Sequence, residues 1–194
     1  LINSIPGFKS ANLIGTKSIE GETNLSVFSS VIHIGSNPAL LGFIVRPAVV
    51  PRHTYNNLKT TGVFTINHIH KGFVDKAHYT SAKFDKNTSE FNAVGLTEEY
   101  LDDFFAPFVK ESKLKIACSF LEEYEIKVNN TILVVGEIQS IFLPNGIVTE
   151  NGEINLDQID DVCISGLYNY HQVKKIAAFD YSRPGNFPQN KHKD

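Results

Sequence analysis

A mainly β fold, a β-barrel with peripheral helices in a single domain, is the architecture this sequence predicts. Three observations predict it. Strand-length runs that alternate or stay apolar dominate, above all residues 131–143 (TILVVGEIQSIFL). Stretches with helical periodicity are few and short. The resulting order, β-β-β-α-β-α-β-β, lacks the regular strand–helix alternation of a doubly wound sheet. No GxGxxG, no P-loop and no repeat of roughly 20–45 residues interrupts that reading.

The elements follow in order. Residues 11–18 form a short mixed segment after Pro6-Gly7. Residues 24–34 (NLSVFSSVIHI) alternate as one strand, with Leu25, Val27, Ser29, Val31 and His33 on one face. Gly35-Ser36-Asn37-Pro38 is a turn signal, and the apolar run 40–46 completes a hairpin. Pro47 and Pro51 bracket a loop. A short helix over 55–60 follows, with Thr54 as N-cap and Gly62 as its stop. Residues 62–69 form a strand, and 73–82 a helix that sets Phe73, Ala77 and Thr80 on one side. The polar stretch 84–107 is an excursion over the barrel. Strands 113–128 and 131–143 flank the hairpin signal Asn129-Asn130. Residues 144–161 are polar and turn-rich, 162–165 are a strand, and 166–179 are irregular or helical. The domain spans 1–183, and 184–194 form a loose tail.

Composition narrows the function classes. The chain has 194 residues, 42% apolar and 20% charged, as in an ordinary soluble globular protein. A net charge of −3 argues against nucleic-acid binding. Cys118 and Cys163 lie far apart and read as buried structural thiols, in neither a disulfide framework nor a zinc motif. No membrane span and no signal-peptide pattern is visible, so a cytoplasmic location is expected. The sequence opens at Leu1 and contains no methionine, so a natural start upstream is expected as well.

Two places bear chemistry. The strand residues Asn24, Ser26, Ser29 and Ser30 put small polar groups and backbone amides where an apolar strand has none. They suit the polar edge of a planar ring; equally, they suit a solvent-facing strand. Arg52-His53-Thr54 stands at a helix start, where free N–H groups, a partial positive charge, an arginine and a hydroxyl favour a phosphate. A plain helix cap with a solvated arginine is the alternative. Arg46, ending the preceding strand, is within reach of the same place or is a surface residue. The histidines (His33, His53, His68, His70, His78, His171, His192) show no HExxH spacing, so no metal site is expected. Ser29 and Ser30 lack a hydrolase elbow, and no side chain stands out as a catalytic acid, base or nucleophile. Tyr168, Tyr170 and His171 form an aromatic cluster that lines a pocket or packs an interface.

Over most of its length the chain resembles the flavin reductase-like family with the FMN-binding split-barrel fold. The resemblance rests on an ordered set of segments: GFKSANLIGT from Gly7, TNLSVFSS from Thr23, Asn37-Pro38, PRHTYNNL from Pro51, GVFTIN from Gly62, AHYTSAKFD from Ala77 and APFV from Ala106. It implies that Thr23, Asn24, Leu25, Ser26, Ser29 and Ser30 line the isoalloxazine ring, and that Arg52, His53 and Thr54, with Arg46 near them, meet the FMN phosphate. Ser81 resembles a position that closes over the ribityl-phosphate side. The family more commonly carries Lys or Ser and then Asp before that threonine; Arg52-His53 departs from this and leaves the role of His53 open.

The same resemblance implies a homodimer with each flavin site near the subunit interface, and Tyr170-His171 as a contribution shared with the partner. The implied activity is hydride acceptance by FMN from NADH or NADPH, with electrons passed to free flavin, a monooxygenase or another acceptor. An FMN-binding redox carrier or sensor with little reductase activity is the alternative. A split-barrel relative adapted to haem or another flavin is a further one.

Overall fold

The computed structural model describes residues 1–47, 52–85 and 88–191. Pro51 and His192, both singled out above, lie outside the described residues. The strands are β1 (Phe8–Ser10), β2 (Asn12–Lys17), β3 (Thr23–Phe28), β4 (Ile32–Ser36), β5 (Ala39–Val45), β6 (Val63–His68), β7 (Glu98–Glu99), β8 (Phe108–Val109), β9 (Lys115–Ile126), β10 (Thr131–Phe142), β11 (Val162–Ser165) and β12 (Asn169–Gln172). The helices are α1 (His53–Thr61), α2 (Val74–Tyr79) and α3 (Glu90–Val94).

Seven strands form one antiparallel sheet in the order β3-β2-β6-β9-β10-β5-β4. Serine hydroxyls tie the connection between its end strands, β3 and β4, to neighbouring strands. Ser30 Oγ accepts the Ile44 amide at 3.0 Å and donates to the Ile44 carbonyl at 3.4 Å, and Ser10 Oγ donates to the Val31 carbonyl at 2.9 Å. The interior is apolar by alternation: Ile14, Phe43, Phe64, Ile66, Ile116 and Val134 project into one cluster. Phe28, Phe43 and Phe64 pack edge to face there, with centroids 5.1 and 5.4 Å apart. Gly136 makes this possible, since a Cβ on it would lie 2.5 Å from Phe64 Cζ. A second cluster, with Leu13, Leu25, Phe73, Ala77, Phe91 and Val109, lies beneath α2 and α3. The mainly β barrel with peripheral helices is therefore the fold.

Several boundaries differ from the sequence reading. The run 24–34 is not one strand: the ladder to β2 ends at Phe28, and pairing resumes in β4 against β5. The alternation continues through Ser29 and Ser30, but there the chain crosses from one sheet edge to the other. The second helix is shorter than 73–82. A 3-10 turn at Lys71–Phe73 leads into α2, so Phe73 and Thr80 flank the helix, and Phe73, Ala77 and Thr80 are all buried. Residues 166–179 contain a strand, β12, paired with β11 in a small sheet with β1. The hairpin at Asn129-Asn130 and the left-handed stop at Gly62 (φ 74°) are as expected. Cys118 is fully buried, and that burial pushes its thiol up to about 12; Cys163 is half-buried.

Candidate functional site

Edge strand β3 lies between two layers of helix. On the side of Asn24 and Ser26, α1 packs through Leu58 and Tyr55; on the side of Leu25 and Val27, α2 and α3 pack through Ala77 and Phe91. Where α1 meets β3, Asn24 Nδ2 donates to Thr54 Oγ1 at 2.9 Å and to Thr16 Oγ1 at 3.4 Å, and Asn57 Nδ2 donates to Thr16 Oγ1 at 3.2 Å. This buried polar network fixes the first turn of α1 against β2 and β3.

Thr54 is therefore not the N-cap. Its hydroxyl is committed to Asn24 inside the helix, and Arg52 occupies the cap position with no side-chain cap bond. Among the described residues no side chain caps the first-turn amides, and the first turn holds no acidic residue. Arg52 is half-buried. One terminal nitrogen, Nη2, donates to the Pro47 carbonyl at 3.3 Å, and its Nε is buried without a partner among the described residues. A buried guanidinium N–H left unpaired is costly, and this N–H has room in its hydrogen-bonding capacity for an acceptor. Arg46 is exposed, and His53 is half-buried in the first turn of α1.

The remaining candidates divide. Ser26 and Ser29 are half-buried, and neither hydroxyl has a partner among the described residues. Ser30 serves barrel closure through Ile44. Thr23 bonds to Ser89 Oγ at 2.7 Å and to Glu98 Oε1 at 2.6 Å, away from α1. The Leu25 side chain is in the core. Ser81 is exposed just past α2, its amide on the His78 carbonyl at 3.0 Å. Tyr170 meets His78 Nδ1 at 3.2 Å and lines a groove of about 450 Å³ with Lys71, Val74, Asp75 and Tyr168. His171 instead holds Ser165 Oγ at 2.8 Å.

One residue escaped the sequence reading. Glu90, at the start of α3, is buried and accepts the outward-facing amide of Leu25 on Oε2 at 3.0 Å. Burial raises its pKa, while the bonds from Leu25 and its own amide and the proximity of His53 act the other way. Glu90→Ala strands a buried edge-strand N–H and is expected to cost about 1–3 kcal/mol in denaturant unfolding. Glu90→Gln keeps an acceptor. Because the folded-state pKa is raised, wild-type stability falls as pH rises from the unfolded value through the folded one. Thermal melts of Glu90→Gln across that window should lack the decline.

The comparisons agree with this architecture. Residues 9–172 match the family described as Flavin reductase like domain. A Shewanella frigidimarina NCIMB 400 protein with a split barrel domain, assigned as a flavin reductase, is 51% identical; the match covers 93% of this chain and 90% of that one, with a TM-score of 0.90. Nitrilotriacetate monooxygenase component B from Bacillus cereus (19% identity, 90% and 89% covered, TM-score 0.81) shares the fold. So does flavoredoxin of Desulfovibrio vulgaris (Miyazaki F), at 21% identity, 89% and 90% covered and TM-score 0.77. With the barrel, the ordered segments and the family match in agreement, the chain belongs to the flavin reductase-like family and has its split-barrel fold.

Proposed function

We propose that this protein is an oxidoreductase that binds FMN, takes a hydride from NADH or NADPH, and passes electrons to free flavin or another acceptor such as a monooxygenase. The observation that carries the reading is the buried Nε of Arg52, without a partner among the described residues, beside the start of α1, which carries no side-chain cap there. A phosphate offers the acceptors that this corner lacks. Arg52, with the first-turn amides of His53 and Thr54, would hold the phosphate, and Arg46 adds positive charge. Asn24 holds Thr54 in place. Ser26 and Ser29, with hydroxyls open among the described residues, face the ring's polar edge, while Thr23 and Leu25 contribute through the backbone of β3 and Ser30 through the crossing segment that follows it. Ser81 bears on the ribityl side. Bound flavin supplies the hydride chemistry, so the chain's task is to bind, orient and exclude water, and no catalytic side chain is required.

The working form is a cytoplasmic homodimer. β5 (ALLGFIV) is apolar on both faces: Phe43 and Val45 enter the barrel core, and Leu40 and Ile44 point the other way, beside Ile32 and Ile34 of β4. Ile32 is 48% exposed and Ile34 40%. An antiparallel sheet with water on one face alternates apolar and polar residues; this one does not, which supports a second subunit over it. Ile32→Asp is expected to shift the protein to monomer in light scattering, with little change in the fold by circular dichroism.

The test is an absorbance spectrum of the purified protein, before and after anaerobic addition of NADH or NADPH. Flavin bands that bleach support the proposal. Bands that persist with both nucleotides point to a carrier, and no flavin after reconstitution with FMN overturns the reading.

A further inference from the structure

We propose a hydration site inside the barrel end, in which one water molecule is bound by Asn12 and Asp161, beside His68, and joins β2 to the chain entering β11. Asn12 is fully buried, and neither its Nδ2 nor its Oδ1 has a partner among the described residues. Asp161 is 7% exposed. Its Oδ2 holds His68 Nδ1 at 2.5 Å, and its Oδ1 is buried without a partner among the described residues. Three unsatisfied polar atoms on two side chains, with one histidine in register or contact with both, are more than scattered packing defects.

The topology brings them to one place. Asn12 faces His68 across the β2–β6 ladder, a relation that sets Cβ atoms about 4.5–5.5 Å apart. Just past His68, β6 changes neighbour. The Ile69 amide donates to the Ala11 carbonyl at 3.2 Å, the Val162 amide donates to the Ile69 carbonyl at 3.1 Å, and His70 bridges to Asp161. Asn12 and Asp161 therefore flank His68 on the same side of β6, where β2 gives way to the chain entering β11.

Their chemistry selects the occupant. Asn12 presents a donor and an acceptor, and Asp161 Oδ1 only accepts, so the bound species must both donate and accept. An anion meets the Asp161 carboxylate, and a cation leaves the Asn12 N–H without an acceptor. Water, with two donors and two acceptors, satisfies all three atoms. Asp160 adds to the joint from outside, with Lys71 Nζ at 2.8 Å and Lys113 Nζ at 3.5 Å. The joint anchors β11 and so β12, which carries Tyr170 to the groove at His78.

A high-resolution crystal structure of the full chain, paired with amide hydrogen exchange, tests it. The expected density is an ordered water within about 2.7–3.2 Å of Asn12 and of Asp161 Oδ1. Asn12→Val should remove it and speed exchange at Ile69 and Val162 by roughly tenfold or more. The proposal is overturned if wild-type density shows Asn12 bonded directly to Asp161, or if Asn12→Val leaves exchange at both amides unchanged. If that variant does not fold, the wild-type density alone decides.

Discussion

Arg52→Ala should weaken FMN binding by about 1.5–3 kcal/mol, a rise in Kd of roughly 10- to 150-fold, read by quenching of flavin fluorescence. The size follows from what the side chain does in the folded chain. Among the described residues it makes one hydrogen bond, to the Pro47 carbonyl, long at 3.3 Å, and its buried Nε has no partner. On the proposed reading, removing it should take little from the fold and a charge-assisted bond from the phosphate. The melting temperature should move only slightly. Arg52→Lys should recover part of the affinity, because an ammonium keeps the charge but not the fork of donors. An unchanged Kd in Arg52→Ala removes this residue from the phosphate site and turns attention to Arg46.

The place of Arg52 at a helix start was legible in the sequence because it is local and needs only a few residues of context. The long strands were legible for a similar reason, since β9 and β10 alternate across an obvious turn. What could not be read depends on contacts distant along the chain. Alternation through Ser29 and Ser30 is the same whether the strand continues or crosses to the other sheet edge, and the bond between Ser30 and Ile44 decides it. Thr54 resembles a cap until Asn24, thirty residues earlier, claims its hydroxyl. Glu90 sits in a polar stretch with nothing to mark it, and its importance comes from the Leu25 amide that it covers. β12 is four residues long and is held by its pairing with β11 more than by its own composition.

Gly15→Ala is expected to destabilise the fold by about 2–5 kcal/mol, the sum of overpacking and of a strained buried hydrogen bond. The new Cβ would fall on the Pro107 carbonyl oxygen and lie 2.6 Å from Thr65 Oγ1. Neither can yield cheaply. Thr65 is fully buried; its hydroxyl donates to that same Pro107 carbonyl at 2.7 Å and accepts from Asn67 Nδ2 at 2.9 Å. Asn67 in turn accepts the Val109 amide at 2.9 Å, so the network locks residues 107–109 onto the sheet. The backbone of Gly15 cannot retreat either, because β2 is paired on both sides, Gly15 with Leu25 of β3 and with Thr65 of β6. For a chain of this size the loss corresponds to a melting temperature lower by roughly 4–20 °C. Gly35→Ala is the control, since its nearest backbone contact would be an ordinary 3.5 Å. Any shift of β2 that relieves the clash passes to β3 through the Gly15–Leu25 pair, so flavin affinity should fall with stability in this variant. In Arg52→Ala affinity alone should fall. A Gly15→Ala protein that melts with the wild type would show that segment 107–109 moves away at little cost and that its polar network does not hold it.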